Sequence, residues 1–486
     1  MANMHRVAGG MAPDSGRPHG FRQGFLHMNK AVSNGSSSSS AAPTTTTTTA
    51  TSIVITAPIA CASSAPHSKG TVTKSTSSFV SRLVTNENLA RWVVGDTPST
   101  NFIFNAPRCM TWMGLQQQQN QNQQNQPESS GETLARLDLV SNTPLCHSIN
   151  PCTRKSNNRL DIIMGFTQGN LIWYDPVCGK YSRLNKNSGY TSAVLCVAWI
   201  PGSETLFMAG MADGCLMIVD RTRDEFVVPK ISKFDDSLLL DHLEVFSTSG
   251  TTGVAAAAAA GSNNPSSFKK STGANPVTFW RVSNKPITSI SFAPTDNTSG
   301  NGGGFPHHVA VTCEDGGLRI IDYLHETLHS VHASYFGGLT CSAWSPDSRF
   351  VIAGGKDDLL SIWSTHDCTL VARCEGHESW VRSIVFDPLG HGDENTYRFM
   401  SVGEDGRLLV WDFSLGALHR PRGAGAGGGG RVRGNLPVVL PLVSVPVHGT
   451  AVECLRVTRE LIVTACRRGI VRVWKRPVAF DSSEYV

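Results

Sequence analysis

Residues 339–364, LTCSAWSPDSRFVIAGGKDDLLSIWS, contain three short apolar strands separated by turns. The first strand, LTCSAW, ends at Ser-Pro-Asp-Ser, a sequence typical of a turn. The second, FVIAGG, is followed by Lys-Asp-Asp, and the third, LLSIW, follows directly. Short apolar runs bounded by Pro, Gly, Ser and Asp are typical of consecutive β-strands. This stretch therefore predicts a β-sheet built from neighbouring segments of the chain.

The same unit recurs along the chain. Its turn and third strand read GNLIWYD (169–175), GCLMIVD (214–220), GGLRIID (316–322), DLLSIWS (358–364), GRLLVWD (406–412) and GIVRVWK (469–475). Where no long insertion intervenes, successive turns lie 45, 42 and 48 residues apart. A four-strand unit of about 40–45 residues is typical of a WD-repeat propeller blade. The predicted fold is therefore all-β, a WD-repeat β-propeller.

Six blades are visible in this repeat, and the strand-like segment 79–112 supplies material for a seventh. Propellers close their ring when an N-terminal strand pairs with the last repeat, because this pairing removes two exposed sheet edges. We predict seven blades, with six as the alternative.

Low-complexity segments set the predicted domain boundaries. Residues 1–78 contain SSSSS and TTTTTT and few aromatics, so they cannot bury enough apolar surface to fold and are predicted to be disordered. The propeller is predicted over 79–477, followed by a tail at 478–486. Loop insertions are predicted at about 116–130, 245–275, 297–304 and 420–435.

Composition argues against several classes of protein. The formal net charge of the 486 residues is only +4, so no electrostatic binding of nucleic acid is expected. The longest apolar run, Leu436–Val447, is too short to span a bilayer and contains three prolines, so no membrane association is expected. The 13 cysteines form no C-x-x-C pair and are interpreted as reduced and mostly buried. No cofactor or metal is predicted, and the expected location is the cytoplasm, with the nucleus as a second compartment.

One blade carries the complete WD hydrogen-bonding motif. His377, Ser401, Asp405 and Trp411 stand where a WD blade links four side chains. No G-x-S-x-G nucleophile elbow accompanies them, so this set is interpreted as structural and not as a hydrolase triad.

A literal H-E-x-x-H motif occurs at residues 325–329. On a helix this spacing would place His325 and His329 on one face to bind zinc, with Glu326 as a general base. Here it directly follows a predicted strand, where a helix of several turns has no room. We therefore interpret it as a solvated loop between strands, and we predict that the protein is not an enzyme.

Aromatic residues mark the candidate binding site. Tyr335 and Phe336 lie in the loop before one predicted innermost strand, and Glu378 and Trp380 lie in the loop before the next. Such loops open onto the same face of a propeller. Exposed aromatics framed by glycines and charges have the composition of an interface hot spot. These four residues are the predicted partner-binding candidates.

The chain resembles the fungal catabolite-repression WD-repeat proteins of the CreC type, whose animal relatives are the dystrophia-myotonica-type WD-repeat proteins. The resemblance is carried by SYFGGLTCSAWSPDSRFVIAGGKDDLLSIWSTHDCTLVARCEGHESWVRSIVFDP (334–388), SSFVSRLVT (77–85), DIIMGFTQGNLIWYDPVCGKYSRLNKN (161–187), WIPGSETLFMAGMADG (199–214), YRFMSVGEDGRLLVWDF (397–413) and LIVTACRRGIVRVWKRP (461–477). The chain departs from this pattern in its insertions and at Arg467-Arg468.

This resemblance implies a non-catalytic cofactor that binds and stabilises or activates a ubiquitin-specific protease, of the CreB type in fungi, in a pathway of carbon catabolite repression. It implies contacts to that protease around Phe336 and Trp380, and it leaves room for a second WD-repeat cofactor in the complex. The alternatives are a substrate-recognition subunit of a ubiquitin ligase or a chromatin adaptor. RNA binding through the Arg-Gly segment at 420–434 and zinc chemistry at the H-E-x-x-H motif are further rivals.

Overall fold

The structure is a computed structural model. It describes residues 52–56, 70–75, 77–86, 89, 100–115, 131–153, 159–186, 188–228, 243–247, 273–294, 307–389, 396–414, 416 and 436–476. The predicted tail at 478–486, three of the predicted insertions (116–130, 297–304 and 420–435) and most of the fourth (245–275) lie outside the described residues.

Seven β-sheets follow one another along this part of the chain and form the blades of a β-propeller, which confirms the seven-blade prediction. The first strand, β1 (Ser52–Thr56), belongs to the last blade. Blade 1 comprises β2 (Gly70–Lys74), β3 (Val80–Asn86), β4 (Thr100–Ala106), β5 (Cys109–Leu115) and β6 (Gly131–Leu139). Blade 2 comprises β7 (Pro144–Ile149), β8 (Ile162–Phe166), β9 (Leu171–Asp175) and β10 (Lys180–Arg183).

The middle blades vary the same plan. Blade 3 comprises β11 (Val194–Trp199), β12 (Leu206–Met211), β13 (Cys215–Asp220), β14 (Glu244–Ser247) and β15 (Thr278–Arg281), with β15 lying between β13 and β14. Blade 4 comprises β16 (Ile287–Phe292), β17 (His308–Cys313), β18 (Gly317–Asp322) and β19 (Thr327–Ala333).

The last three blades carry the candidate site. Blade 5 comprises β20 (Leu339–Trp344), β21 (Phe350–Gly355), β22 (Leu360–Ser364), β23 (Leu370–Cys374) and β27 (Val438–Val439). Blade 6 comprises β24 (Val381–Phe386), β25 (Thr396–Gly403), β26 (Arg407–Ser414) and β28 (Val443–Pro446). Blade 7 comprises β29 (Val452–Val457), β30 (Leu461–Cys466) and β31 (Ile470–Lys475), with β1 at its outer edge.

The burial pattern explains why the middle strands of each blade are almost uniformly apolar. Every residue of β12, β13, β21 and β22 is buried, because both faces of these strands pack against neighbouring blades. The first strand of each of blades 2 to 7 carries a register shift after its first residue, a local irregularity of the β-bulge type.

Small polar side chains connect the first strands of successive blades. Four of them donate to a backbone carbonyl of the next blade: Cys146 to Val194, Cys196 to Ile287, Thr288 to Leu339 and Thr340 to Val381. Burial raises the pKa of Cys146 to about 12 and that of Cys341 to about 11, so these thiols stay protonated. The twelve cysteines of the described part are all free, and six of them are buried.

The ring begins earlier than the predicted boundary at residue 79. β2 pairs with β3, and β1 pairs along its whole length with β31, from Ser52 opposite Trp474 to Thr56 opposite Ile470. Both strands lie inside the segment 1–78 that was predicted to be disordered, so that prediction is corrected for 52–56 and 70–75. Backbone pairing with a strand edge does not need a strongly apolar composition, because the hydrogen-bonding groups are those of the main chain.

A buried ion pair joins the end of blade 7 to blade 6. The guanidinium of Arg476, just after β31, donates to the carboxylate of Asp387, just after β24. The Asp387 side chain is fully buried and also accepts the Leu389 N–H at 2.9 Å. This pair reinforces the junction between blades 6 and 7.

Among the described residues, no helix has the length and apolar character needed to cross a lipid bilayer.

Candidate functional site

The loops before β20 and β24 lie on the same face of the ring as the turns after β21 and β25. The Phe336 N–H donates to Asp357 Oδ2 at 3.2 Å, and the Glu378 N–H donates to Asp405 Oδ2 at 3.1 Å. Phe336 and Glu378 therefore occupy equivalent positions in blades 5 and 6. In both blades the Asp of the turn holds the preceding loop through its backbone.

The structure brings the four residues of the WD motif together in blade 6. The Trp411 indole N–H donates to Ser401 Oγ at 2.8 Å, and Ser401 Oγ lies 2.7 Å from His377 Nε2. His377 Nδ1 lies 2.7 Å from Asp405 Oδ2. Because the Asp405 carboxylate can only accept, the proton of the imidazole sits on Nδ1, and Nε2 accepts a hydrogen bond from the Ser401 hydroxyl. The set is buried below the loop, which fits a structural role.

The charge of Asp405 contributes to the stability of this loop. Burial alone would raise the pKa of Asp405, but hydrogen bonding to His377 and the backbone N–H groups of Arg407 and Glu378 hold it below its ordinary value. A carboxyl group with a lowered pKa in the folded state stabilises the fold at pH values above its unfolded-state pKa of about 3.9. This stabilisation is lost as the pH falls through the folded-state pKa.

We expect Asp405→Asn to lower the free energy of unfolding at pH 7 by about 1–3 kcal/mol, because it removes a hydrogen bond to a charged group. Urea unfolding at pH 7 and at pH values below about 4 measures the difference from the native chain. That difference should shrink as the pH falls. A difference that stays constant over this range would contradict the role of the charge.

Blade 5 departs from the motif in a way that exposes its loop. When the strand pairings of blades 5 and 6 are aligned, Tyr335 of blade 5 corresponds to His377 of blade 6. Ala353 likewise corresponds to Ser401. Without a hydroxyl below it, residue 335 has no buried partner to reach. The Tyr335 side chain instead lies outside, with an exposed fraction of 66%.

Three aromatic side chains form an exposed surface, which we call the aromatic surface: Tyr335, Phe336 and Trp380. Phe336 is 76% exposed and Trp380 is 38% exposed. The loop that presents Phe336 is held tightly, because Ser334 Oγ donates to Gly337 O at 2.6 Å. Gly337 has a φ of +72°, which favours glycine. A large apolar side chain on a rigid loop loses little conformational freedom when a partner covers it.

Cations lie against two of these rings, those of Trp380 and Tyr335. Lys356 Nζ lies 4.7 Å from the centre of the Trp380 ring, and Arg382 Cζ lies 5.9 Å from it. Arg373 Cζ lies 4.4 Å from the centre of the Tyr335 ring. The Lys356 N–H also donates to Gly338 O at 2.9 Å, so Lys356 lies between the two loops. The exposed surface therefore combines aromatic faces with positive charge.

Ion pairs extend from these cations across four blades. The pairs are Lys356 with Glu314, Arg382 with Glu404 and Glu453, and Arg467 with Glu404 and Glu453. Arg467, which the sequence shows only as a departure from the family pattern, thus joins blades 6 and 7 at this face. His448 keeps its 2.9 Å contact with Thr464 Oγ1 in that blade.

These ionic residues were missed by the sequence analysis, although the repeat contains a signal for them. In blades 4 to 7, the turn between the second and third strands begins with a charged residue. In chain order these residues are Glu314, Lys356, Glu404 and Arg467. Alternating charge at one repeat position places opposite charges side by side around the ring.

The H-E-x-x-H motif forms a turn followed by a strand. His325 lies in the turn, with Nδ1 2.7 Å from Asp322 Oδ2, whereas His329 lies in β19 with its ring 5.2 Å from that of His308. Glu326 accepts a hydrogen bond from Thr278 Oγ1 at 2.7 Å. The expectation of a loop therefore holds only for the start of the motif. Within the described ranges, no three His, Cys, Asp or Glu side chains are grouped so that they could hold a metal ion.

Comparison with known families and proteins agrees with the architecture. The family model "WD domain, G-beta repeat" matches residues 182–220, 326–364 and 368–412. The UBP9-binding protein bun62 of Schizosaccharomyces pombe is 31% identical over 445 residues, which cover 82% of this chain and 75% of that protein. The WD repeat-containing protein 20 homolog of Caenorhabditis elegans is 29% identical over 252 residues, which cover 51% of this chain and 30% of that protein.

Solved structures with similar folds include a chain of the mitotic checkpoint complex, with a TM-score of 0.48 and 14% identity over 77% of this chain and 86% of that one. The WD40 propeller domain of Doa1 has a TM-score of 0.45 and 10% identity over 79% of this chain and 91% of that one.

Proposed function

The chain belongs to the WD-repeat family that includes the UBP9-binding protein bun62 of Schizosaccharomyces pombe, and from this premise we propose that it is a non-catalytic cofactor of a ubiquitin-specific protease. In this proposal the propeller binds the protease and stabilises or activates it.

The observation that carries the proposal is the aromatic surface. Phe336 and Trp380 project from rigid loops of neighbouring blades, and Lys356 lies between them. Aromatic residues and arginine are enriched among the residues that dominate binding energy in protein interfaces. A surface of this kind suits a protein partner better than a small substrate, which needs a concave pocket.

The proposed mechanism is a shift in the conformational equilibrium of the protease. A bound partner can favour the active conformation only if it binds that conformation more tightly than the inactive one. A rigid ring can do so, because its loops present one fixed geometry. Activation would then appear as a higher turnover of the protease without any catalytic group from the propeller.

Finer features of this function are also part of the proposal. The protease would be of the CreB type, the pathway would be carbon catabolite repression, and a second WD-repeat cofactor would join the complex. The complex would act in the cytoplasm, with the nucleus as a second site.

Reconstitution from purified proteins tests this function. We expect the full chain to form a complex with a CreB-type ubiquitin-specific protease on gel filtration and to raise its rate of hydrolysis of a fluorogenic ubiquitin substrate at least about tenfold, since 1.4 kcal/mol of preferential binding corresponds to a factor of ten. The chain alone should release no fluorophore. Absence of a complex, together with copurification of ligase subunits or histones from cells, would contradict the proposal and favour the adaptor alternatives.

A further inference from the structure

The longest apolar run of the chain, Leu436–Val447, lies on the surface of the propeller and crosses from blade 5 to blade 6. Its first part, β27, pairs in parallel with β23: the Arg373 N–H donates to Pro437 O at 3.0 Å and the Glu375 N–H donates to Val439 O at 3.1 Å. Its second part, β28, continues the outer edge of blade 6 beside β26. We call residues 438–442 the rim strand.

The rim strand buries one set of side chains and exposes the other. Val439 packs into the apolar cluster between blades 5 and 6. Val438, Leu440 and Leu442 point outward, with exposed fractions of 48%, 68% and 57%. Pro441 anchors the strand, because a Cβ on Gly376 would lie only 2.9 Å from its Cγ. Three branched aliphatic side chains in a row on a fixed backbone are an apolar stripe of the kind that marks interaction sites.

The backbone of β27 also presents an open edge. β27 is the last strand in the order of blade 5, so no strand of the described chain pairs with its outer side. The carbonyls of Pro437 and Val439 face β23. Because successive carbonyls of a strand point to opposite sides, the carbonyl of Val438 faces away from β23. An extended segment could add to this edge through main-chain hydrogen bonds, while its side chains lie against the stripe.

Positive charge flanks the stripe at both ends. Arg373 lies opposite Val438 in the pairing, and its Nε is buried without an acceptor. Arg407 Nε donates to the Ser444 hydroxyl at 2.8 Å. Neither guanidinium forms an ion pair with a carboxylate among the described residues. This arrangement favours acidic side chains on whatever lies along the strand.

We propose that the rim strand is a docking site for an extended peptide segment of a partner protein, in which alternate apolar residues on one face are flanked at both ends by Asp or Glu. The segment adds to the open edge of β27, places its apolar side chains against Val438, Leu440 and Leu442, and pairs its carboxylates with Arg373 and Arg407. A second copy of this chain fits less well, because it would bring the same arginines of both copies together. The site adjoins the aromatic surface at Arg373, whose Cζ lies 4.4 Å from the centre of the Tyr335 ring, and it does not depend on the proposed function.

Fluorescence anisotropy with a designed probe tests this site on the full chain. The probe is a fluorescein-labelled peptide of about ten residues in which Val and Leu alternate with Thr and Glu stands at both ends, and the comparison peptide carries Lys in place of Glu. We expect the Glu peptide to bind at least about tenfold more tightly than the Lys peptide. Leu440→Ser with Leu442→Ser should weaken its binding at least about tenfold, and Arg407→Ala should weaken it several-fold.

Matched variants separate this site from the rest of the molecule. Phe336→Ala with Trp380→Ala should leave peptide binding unchanged, and the leucine variant should keep the melting temperature of the native chain because both side chains are exposed. Equal binding of the two peptides, equal binding by the leucine variant, or no binding at about 1 mM peptide would overturn the proposal. A concentration-dependent dimer in analytical ultracentrifugation that the leucine variant abolishes would also overturn it, in favour of a second copy.

Discussion

Replacing Phe336 and Trp380 together with alanine is expected to lower the affinity for the protease at least about 100-fold and to leave the melting temperature of the ring unchanged. Buried aromatic anchors at an interface typically contribute 2 kcal/mol or more each on truncation, and 1.4 kcal/mol corresponds to a factor of ten. Both rings project away from the blade cores, so their loss removes little that stabilises the fold. Isothermal titration calorimetry with the purified protease measures the change.

The matched control is Leu389→Ala. Leu389 is also exposed, but it follows the far end of β24, on the opposite face of blade 6 from Trp380. This variant removes apolar surface of similar chemistry and should bind the protease with native affinity. If it weakens binding as much as the double aromatic variant does, the partner lies elsewhere on the ring.

The largest effect on stability is expected at the buried ion pair that joins blades 6 and 7. Arg476→Met should lower the free energy of unfolding by about 3–5 kcal/mol, because it leaves the carboxylate of Asp387 buried without its partner. Methionine keeps most of the apolar volume of the arginine, so the loss of charge dominates the change. Equilibrium unfolding in urea measures it.

A second substitution separates the charge from the packing. Arg476→Met combined with Asp387→Asn removes the buried charge and keeps an oxygen that can accept the Leu389 N–H. We expect this double variant to recover more than half of the stability lost in the single variant. A double variant that is less stable than Arg476→Met would show that the carboxylate is not left unpaired in the single variant.

Most of the fold could be predicted from the sequence, because each blade repeats the same order of strand, turn and apolar strand. The spacing of those turns predicted six blades, and the strand-like segment 79–112 supplied the seventh. The strand β1 was not predicted, since SIVIT is a brief apolar run inside a Ser/Thr-rich segment. Its strand conformation depends on pairing with β31, which lies more than 400 residues away along the chain.

The candidate site was predicted in its aromatic residues but not in what surrounds them. Phe336 and Trp380 stood out because they lie in loops before consecutive innermost strands and are framed by glycines and charges. Lys356 and Arg467 did not, because single charges after a strand are ordinary on a solvated turn. Their role depends on the neighbouring blade: Lys356 reaches Trp380, and Arg467 reaches Glu404. Contacts between blades follow from the geometry of the ring, which a single repeat does not contain.

The most direct test of the account is the hydrolysis assay with the protease and three forms of the chain. The native chain and the Leu440→Ser/Leu442→Ser variant should both raise the rate of the protease, whereas Phe336→Ala/Trp380→Ala should leave it at the level of the protease alone. Full stimulation by the folded double aromatic variant at the same concentration would contradict the claim that the aromatic surface binds and activates the protease.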